Sequence, residues 1–242
     1  MGWKEEFIEI LFTECDTERA YKLFGEKAPK AIFRYRGGYK YDITALENGK
    51  LWISNMSEVN DVFEGRIDIE IPKMNFEFLS TYLKDQNDKL INELRSKYYV
   101  ACFSESVYRQ DMWGNYANSS KGFCIEYYIE DFEVPVFPVI YKNGQKFNVE
   151  TSKDYEMYKI LFTKNEDWSH ENEWRIALEF NEAPVKGRLI EQPIPKAIYM
   201  GINIDRDVCE SLRKYCDLMF IELYQMGMDI GNGQLMAKKI DL

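Results

Sequence analysis

Apolar and polar positions along the first hundred residues follow both helical and strand periods. Four apolar residues at the amino terminus recur at the spacing of one helical face and predict a short amphipathic helix: Trp3, Phe7, Ile10 and Leu11. The next segments predict, in chain order, a strand at 33–35 that ends at Gly37-Gly38, a helical turn at 43–46, a strand at 50–53 after the Asn48-Gly49 turn, and a long helix from Asn75 to Lys97.

The second half of the chain is rich in β-branched and aromatic runs bounded by turn residues, which is typical of strands. The predicted strands cover residues 98–103, 122–128, 136–141, 174–180, 189–194, 197–200 and 218–223. The predicted helices cover residues 111–118, residues 154–162, and a segment capped by Asp205 that carries Val208, Leu212 and Tyr215. Strands and helices do not alternate regularly, so we expect an α+β fold with a mixed or antiparallel sheet as its core and peripheral helices.

The chain shows no internal repeat and no linker rich in proline, glycine or serine. We therefore predict one continuous domain over residues 1–242, with a helical amino-terminal segment at 1–28 and the core at 29–242.

No apolar stretch reaches the roughly 20 residues of a membrane span, and the first residues lack the apolar block of a signal peptide. The sequence thus predicts a cytoplasmic protein without a membrane partner.

Composition and charge limit the kinds of functional site that the chain can form. The 242 residues carry a formal net charge of -10, which argues against a uniformly basic nucleic-acid-binding surface but leaves room for a local basic cleft. His170 is the single histidine, so a multi-histidine metal site is excluded and any Ser/His or Cys/His catalysis would use His170. The five cysteines form no C-x-x-C pair, and we expect them to be reduced core thiols.

Polar and aromatic residues gather in four short segments, of which the first two contain candidates for ligand contacts. In residues 33–38, Arg36 stands at a strand end beside two glycines that let a ligand approach the backbone, which suits bidentate capture of phosphate. An ordinary surface arginine at a turn would show the same pattern. In residues 52–64, Asn60 and Asp61 fit either a ligand contact or a loop held by its own hydrogen bonds.

The third segment joins residues 102–105 to residues 112–117. Trp113 and Tyr116 are three positions apart in a predicted helix and therefore share one face. Such a pair fits stacking on a flat heterocycle, although pairs of this kind more often belong to the core. The pattern alone leaves both interpretations open.

The fourth segment covers residues 168–175 and contains two carboxylates and a guanidinium. A strand that begins near Glu171 would place Glu171, Glu173 and Arg175 on one face, with Trp174 on the opposite face. This arrangement is typical of a solvated edge of a sheet, and also of a catalytic carboxylate held by a charged partner. Both interpretations stay open at this point.

Together, these segments resemble a bacterial family described as domain of unknown function 2971. The residues that carry the resemblance are Phe33-Arg34-Tyr35-Arg36, Leu51-Trp52, Val59–Glu64, Phe103-Ser104-Glu105, Met112–Phe123, Trp168–Arg175 and Pro195–Gly201. They span about residues 30–225. Two positions depart from the family pattern, since Val62 replaces a proline and Ser120 replaces a histidine. A mechanism that needs this histidine would not apply here.

The layout is also similar to the ADP-ribosyltransferase superfamily, which places an arginine on the first strand, a small hydroxyl on a central strand and a glutamate near the end. The resemblance implies an NAD-dependent transferase linked to toxins or phage defence, with NAD as substrate and no metal. The implied site consists of the catalytic candidates Glu173 and Glu171 and the NAD-binding candidates Arg36, Ser104, Trp113, Tyr116, Asn60 and Asp61. The implied partners are a macromolecular acceptor (protein or nucleic acid) and an antitoxin or phage protein.

Other functions fit the same residues. A non-catalytic phage-defence module would bind nucleic acid or a phage protein through the same cleft, and a nucleic-acid partner would require a local basic patch. A nuclease would gather a magnesium ion at carboxylates, although their spacings match no metal motif: Asp61, Glu64, Glu105 and Glu171. A ligand-binding domain whose aromatic residues all belong to the core is a further alternative.

Overall fold

The computed structural model describes residues 2–59, 68–69, 89, 91–93, 95–144, 146–147 and 153–242. The helices are α1 (Trp3–Phe12), α2 (Thr17–Lys27), α3 (Lys40–Glu47), α4 (Gln110–Tyr116), α5 (Lys153–Phe162) and α6 (Arg206–Met219). The strands are β1 (Ala31–Arg36), β2 (Lys50–Asn55), β3 (Asp68–Ile69), β4 (Tyr98–Ser104), β5 (Phe123–Tyr128), β6 (Phe137–Pro138), β7 (Ile140–Tyr141), β8 (Lys146–Phe147), β9 (Thr163–Lys164), β10 (Glu173–Glu179), β11 (Gly187–Glu191), β12 (Ala197–Met200), β13 (Glu222–Met228) and β14 (Leu235–Lys239). Short 3-10 helices lie at Met56–Glu58, Ile129–Asp131 and Glu166–Glu171.

Ten of the described strands form one open, largely antiparallel sheet. Its main path is β11-β2-β4-β1-β5-β12-β13-β14, and β10 pairs with β4 and β6 outside this path. The pairing of β12 with β13 is parallel, and α6 makes the connection between these two strands. The predicted α+β class with a mixed sheet and peripheral helices is confirmed.

The sheet divides along one edge of β4. On this edge, β2 pairs with the beginning of β4 at Tyr99 and Val100, whereas β1 pairs with its last residue, Ser104. The other edge of β4 pairs with β10 along its whole length. Strands β1 and β2 therefore diverge, and Cys102 lies at the position between their two pairings.

The strand register also determines which side chains share a face of the sheet. Phe33 is directly opposite Ser104, and Ser104 is directly opposite Glu173, so these three side chains share one face of the sheet. Arg34 and Trp174 are each one position further along their strands and therefore lie on the other face. Trp174 is fully buried there in the main hydrophobic core.

Three element predictions need correction. The predicted strand at 218–223 is wrong in its first half, because α6 continues to Met219, Phe220 adopts a left-handed conformation with φ of 56° at its end, and β13 begins only at Glu222. The predicted strand at 136–141 is two short strands, β6 and β7, that pair with different neighbours. Asp205 precedes α6 as predicted, but its side chain makes no capping hydrogen bond.

The long helix predicted from Asn75 to Lys97 lies mostly outside the described residues. Its last described residues, 91–93 and 95–97, are helical. The remaining predicted elements are present, with ends that differ by a few residues from the expected ones.

Candidate functional site

A cavity of about 600 Å³ opens where β1 and β2 diverge, and we call it the split cavity. Its charged lining residues are Arg34, Arg36, Glu58, Lys164, Glu171, Glu173 and Arg175. Its aromatic lining residues are Phe33, Tyr35, Tyr39, Tyr41, Phe103, Tyr116 and Trp168. Cavities of this size typically hold small organic ligands, and this lining offers both charges and stacking surfaces to such a ligand.

Four charged side chains form a buried cluster at the wall of the split cavity. Lys164 Nζ lies 2.6 Å from Glu171 Oε2 and 3.2 Å from Glu173 Oε2. Arg175 holds the other oxygen of Glu173, with Nε at 2.8 Å and Nη2 at 2.7 Å from Oε1. Two cations thus compensate two carboxylates, which is what burial of these charges requires.

Glu173 is ionised in this cluster. Its burial alone would raise the pKa of the carboxyl group, but the positive charges of Arg175 and Lys164 outweigh this effect. Hydrogen bonds from Arg175 and from the Cys102 thiol act in the same direction, so the pKa of Glu173 is lowered from its ordinary value. The site therefore presents a fixed negative charge at the cavity wall.

Glu171 reaches the same cluster by a route that differs from the predicted one. It is the last residue of the 3-10 helix Glu166–Glu171 and does not lie in the strand. The following residue, Asn172, has a φ of 45°, a left-handed conformation that asparagine tolerates better than most residues. The chain bends there, and both carboxylates meet around Lys164 although only Glu173 belongs to β10.

The two aromatic candidates of α4 lie in different environments. Tyr116 lines the split cavity, and its hydroxyl donates a hydrogen bond of 2.6 Å to Glu171 Oε1. Trp113 is buried in the core, where its ring lies edge-on to Tyr35 and its Nε1 donates to the Val107 carbonyl at 2.7 Å. The predicted ligand stacking by Trp113 is therefore wrong, because its ring and its polar atom are both used inside the protein.

Two arginines extend from β1 on one face, and their partners differ. Arg36 Nε donates to Asp42 Oδ1 at 2.8 Å, and its Nη2 donates to the same oxygen, so a buried carboxylate holds this guanidinium. Arg34 is only 7% exposed, and its Nη2 donates to the Trp52 carbonyl. Its Nη1 is buried and has no hydrogen-bond partner among the described residues. Burial and the neighbouring charge of Arg36 lower the pKa of Arg34 to about 10.

Other predicted site residues do not offer a polar group to a ligand or fall outside the described part. Ser104 lines the split cavity, but its hydroxyl is buried and donates to the Glu171 carbonyl at 2.8 Å. Its role is to position the turn before β10. Asn60 and Asp61 lie outside the described residues. His170 is not among the residues that line the cavity, and its Nδ1 lies 2.9 Å from the Asp167 carbonyl.

Of the carboxylates considered for a magnesium site, the two that the structure describes, Glu105 and Glu171, do not converge. Glu105 Oε1 binds Lys4 Nζ at 2.6 Å and Trp174 Nε1 at 2.8 Å, on the face of the sheet opposite to Glu173. Glu171 is engaged by Lys164 as described above. Asp61 and Glu64 lie outside the described residues. Within the described part of the chain, no group of three His, Cys, Asp or Glu side chains is arranged to hold a metal ion.

Sequence reasoning missed Lys164 and misjudged the cysteines. Lys164 follows α5 and resembles a surface lysine, although it is buried and its Nζ lies 4.7 Å from the centroid of the Trp168 ring. Two carboxylates predicted on one face require a nearby cation if they are buried. This requirement was the sequence feature that could have indicated a buried lysine near them. The expectation of core thiols holds for Cys124 and Cys216, whereas Cys209 is partly exposed and Cys15 and Cys102 are exposed. Cys102 is exposed because the sheet divides beside it.

Residues 112–176 match the model of a family described as "Protein of unknown function (DUF2971)". No curated protein and no solved structure matches the chain. In the part of the chain that the structure describes, no helix has both the length and the apolar character needed to cross a membrane. The matched segment begins in α4 and ends in β10, so it contains Tyr116 and the whole buried cluster around Lys164. Over this segment, the chain carries the sequence pattern of the DUF2971 family.

Proposed function

We propose that the chain is an NAD-dependent ADP-ribosyltransferase-like enzyme whose substrate site is the split cavity. One observation carries this proposal: the arginines of β1 and the ionised Glu173 line a single cavity of about 600 Å³. Such a cavity offers cations for the pyrophosphate and an anion for the reacting ribose of the same ligand. A role as a toxin or phage-defence effector, with a protein or nucleic acid as acceptor, belongs to the same proposal.

The chemistry needs a carboxylate more than any other group. Cleavage of the bond between nicotinamide and ribose builds positive charge on the ribose, as in glycoside hydrolysis. A fixed carboxylate beside that sugar stabilises the charge as it develops. Glu173 has the required ionisation, and Arg175 and Lys164 hold its two oxygens in place. Glu171 would then contact the acceptor.

The contacts of the two arginines favour Arg34 over Arg36 for the pyrophosphate. Arg36 is already bound by Asp42, whereas Arg34 retains a buried donor without a partner among the described residues. The stacked rings of Tyr39 and Tyr41 are exposed at the cavity, with centroids 5.4 Å apart, and offer a surface for a base. Tyr116 lines the cavity beside Glu171, and its ring is the proposed contact of the nicotinamide.

A non-catalytic binding module is the second candidate, and one observation favours it. Both carboxylates and Arg36 are already engaged in internal ion pairs, as expected of a cluster that serves the structure. A module of this kind would bind nucleic acid or a phage protein at the same cavity. The two candidates differ in their ligand, since NAD belongs to the first and an oligonucleotide or protein to the second.

Incubation with labelled NAD and a cell extract tests the proposal. We expect label in an extract fraction only when the intact chain is present, and we expect NAD to raise the melting temperature. A ligand at about a hundred times its Kd adds about 2.7 kcal/mol to stability, which is easily measured. Absence of label together with a melting shift by oligonucleotides and none by NAD would support the binding module instead.

A further inference from the structure

Cys102 has an unusual environment for a residue in the middle of a sheet. It lies between the positions of β4 that pair with β2 and with β1, its side chain is exposed, and it lines the split cavity. The other exposed cysteine, Cys15, is not among the residues that line this cavity. Cys124 and Cys216 are buried. A reagent that enters the cavity therefore meets one thiol.

A second observation points to the charge of the ligand that this thiol would meet. Arg34 lines the same cavity and is more than nine-tenths buried, and its buried Nη1 has no hydrogen-bond partner among the described residues. Its charge and the Cys102 thiol are close enough to interact electrostatically. Asp42 neutralises Arg36 but has no ion pair with Arg34. An anionic group beside Cys102 would satisfy Arg34.

The Cys102 thiol also lies beside the buried charged cluster. The Cys102 thiol donates a hydrogen bond to the Glu173 carboxylate. Arg175 is its direct neighbour on β10, and Lys164 binds the same carboxylate. Nearby cations favour the thiolate, which is the form that attacks disulfides.

We propose that Cys102 is a covalent modification site for small anionic disulfides, held by Arg34 in the split cavity. The Cys102 sulfur attacks one sulfur of the disulfide, a new S–S bond joins that half to the protein, and the old S–S bond breaks. The other half leaves as a thiolate, and the proton of Cys102 is released to water. The attached group occupies part of the cavity, so the modification would hinder ligand entry. This site stands independently of the proposed transfer.

The test compares two disulfides on the intact chain. Ellman's reagent carries two carboxylates, whereas dithiodipyridine is neutral, and both release a coloured thiol. The Cys15→Ser and Cys102→Ser variants, each combined with Cys209→Ser because Cys209 is partly exposed, separate the two exposed cysteines. We expect the ratio of the anionic to the neutral reaction rate to be about tenfold higher at Cys102 than at Cys15, because a local cation concentrates anions whereas the net charge of -10 repels them elsewhere.

Arg34→Gln should bring this ratio at Cys102 down to the value at Cys15. Because Arg34 is buried and its replacement can disturb folding, inorganic pyrophosphate provides the same test on the unaltered chain. It should slow the reaction of Cys102 and leave Cys15 unaffected. Equal ratios at the two cysteines, a Cys102 that reacts as slowly as the buried Cys124 and Cys216, or a reaction that pyrophosphate does not slow would each overturn the proposal.

Discussion

Tyr116 donates a hydrogen bond of 2.6 Å to Glu171, and this contact joins two segments that are 55 residues apart in the chain. Burial and the acceptor Glu171 both raise the pKa of the Tyr116 hydroxyl, so it stays protonated and remains a donor. Glu171 also forms an ion pair with Lys164, and Lys164 forms a second ion pair with Glu173. Helix α4 therefore takes part in positioning the carboxylate proposed for catalysis.

Replacement of this hydroxyl should lower stability measurably. We expect Tyr116→Phe to reduce the free energy of unfolding by about 1–2 kcal/mol, because a half-buried hydrogen bond to a charged group is lost. Urea unfolding measures this change. Tyr108→Phe is the control, since Tyr108 is 55% exposed, and it should change the free energy by less than about 0.5 kcal/mol. Equal effects of the two variants would mean that the contact contributes nothing.

The parts of the site that follow from strand alternation were predictable from sequence. Glu173 and Arg175 share a face with Trp174 opposite, as the period of two requires. Lys164 was not predictable in this way, because only the tertiary fold brings the residue after α5 against β10. The roles of Trp113 and Ser104 depend on which neighbour takes their polar atoms, and the local sequence does not contain that information.

The same limit applies to the two arginines of β1. A strand end beside two glycines favoured Arg36, yet Asp42 follows only six residues later and engages it. The alternation that places Arg34 two residues earlier on the same face was visible. That its Nη1 has no partner among the described residues follows from the divergence of β1 and β2, which the alternation does not show. Sheet topology of this kind is fixed by long-range pairings.

A close backbone approach at Gly122 should make this position intolerant of any side chain. A Cβ at Gly122 would lie 2.0 Å from the Arg36 carbonyl oxygen, so the end of β1 or the start of β5 would have to move. We expect Gly122→Ala to lower the free energy of unfolding by about 1–3 kcal/mol or more. Thermal or urea unfolding measures the loss.

Gly114 provides the matched control for this substitution. It lies within α4, and a Cβ there would meet no atom within 4 Å. Alanine is favoured over glycine in helices, so Gly114→Ala should leave stability unchanged or raise it by up to about 1 kcal/mol. A loss of stability in Gly114→Ala as large as that in Gly122→Ala would contradict the steric explanation.

The lowered pKa of Glu173 predicts a specific pH dependence of stability. Its pKa in the folded chain is below the ordinary value of 4.5, so its contribution is present above that pH and is lost as the pH falls through the folded-state value. Glu173→Gln lacks this contribution at every pH. The difference in unfolding free energy between the unaltered chain and Glu173→Gln should therefore shrink as the pH falls from about 6 to about 3. A difference that stays constant over this range would contradict the assignment of an ionised Glu173.

Loss of the Glu173 carboxylate should also remove the proposed transfer. Glu173→Gln should lower the transfer rate by about a hundred- to thousandfold, the usual effect of removing one preorganised charge from a reaction site. The substitution leaves Lys164 and Arg175 less compensated and should cost about 3–5 kcal/mol of stability. The rate must therefore be measured below the melting temperature of the variant, with its folded fraction determined by circular dichroism.

Glu171→Gln separates the chemical role of Glu173 from its structural role. Glu171 is equally buried and shares Lys164 with Glu173, so the two variants disturb the same cluster. If Glu173 is the carboxylate that faces the ribose, its variant should lose at least about tenfold more of the transfer rate than Glu171→Gln does. Glu179→Gln, at the exposed end of β10, should retain the full rate. Equal losses in the Glu171 and Glu173 variants would contradict the assignment of Glu173 as the one carboxylate that faces the ribose.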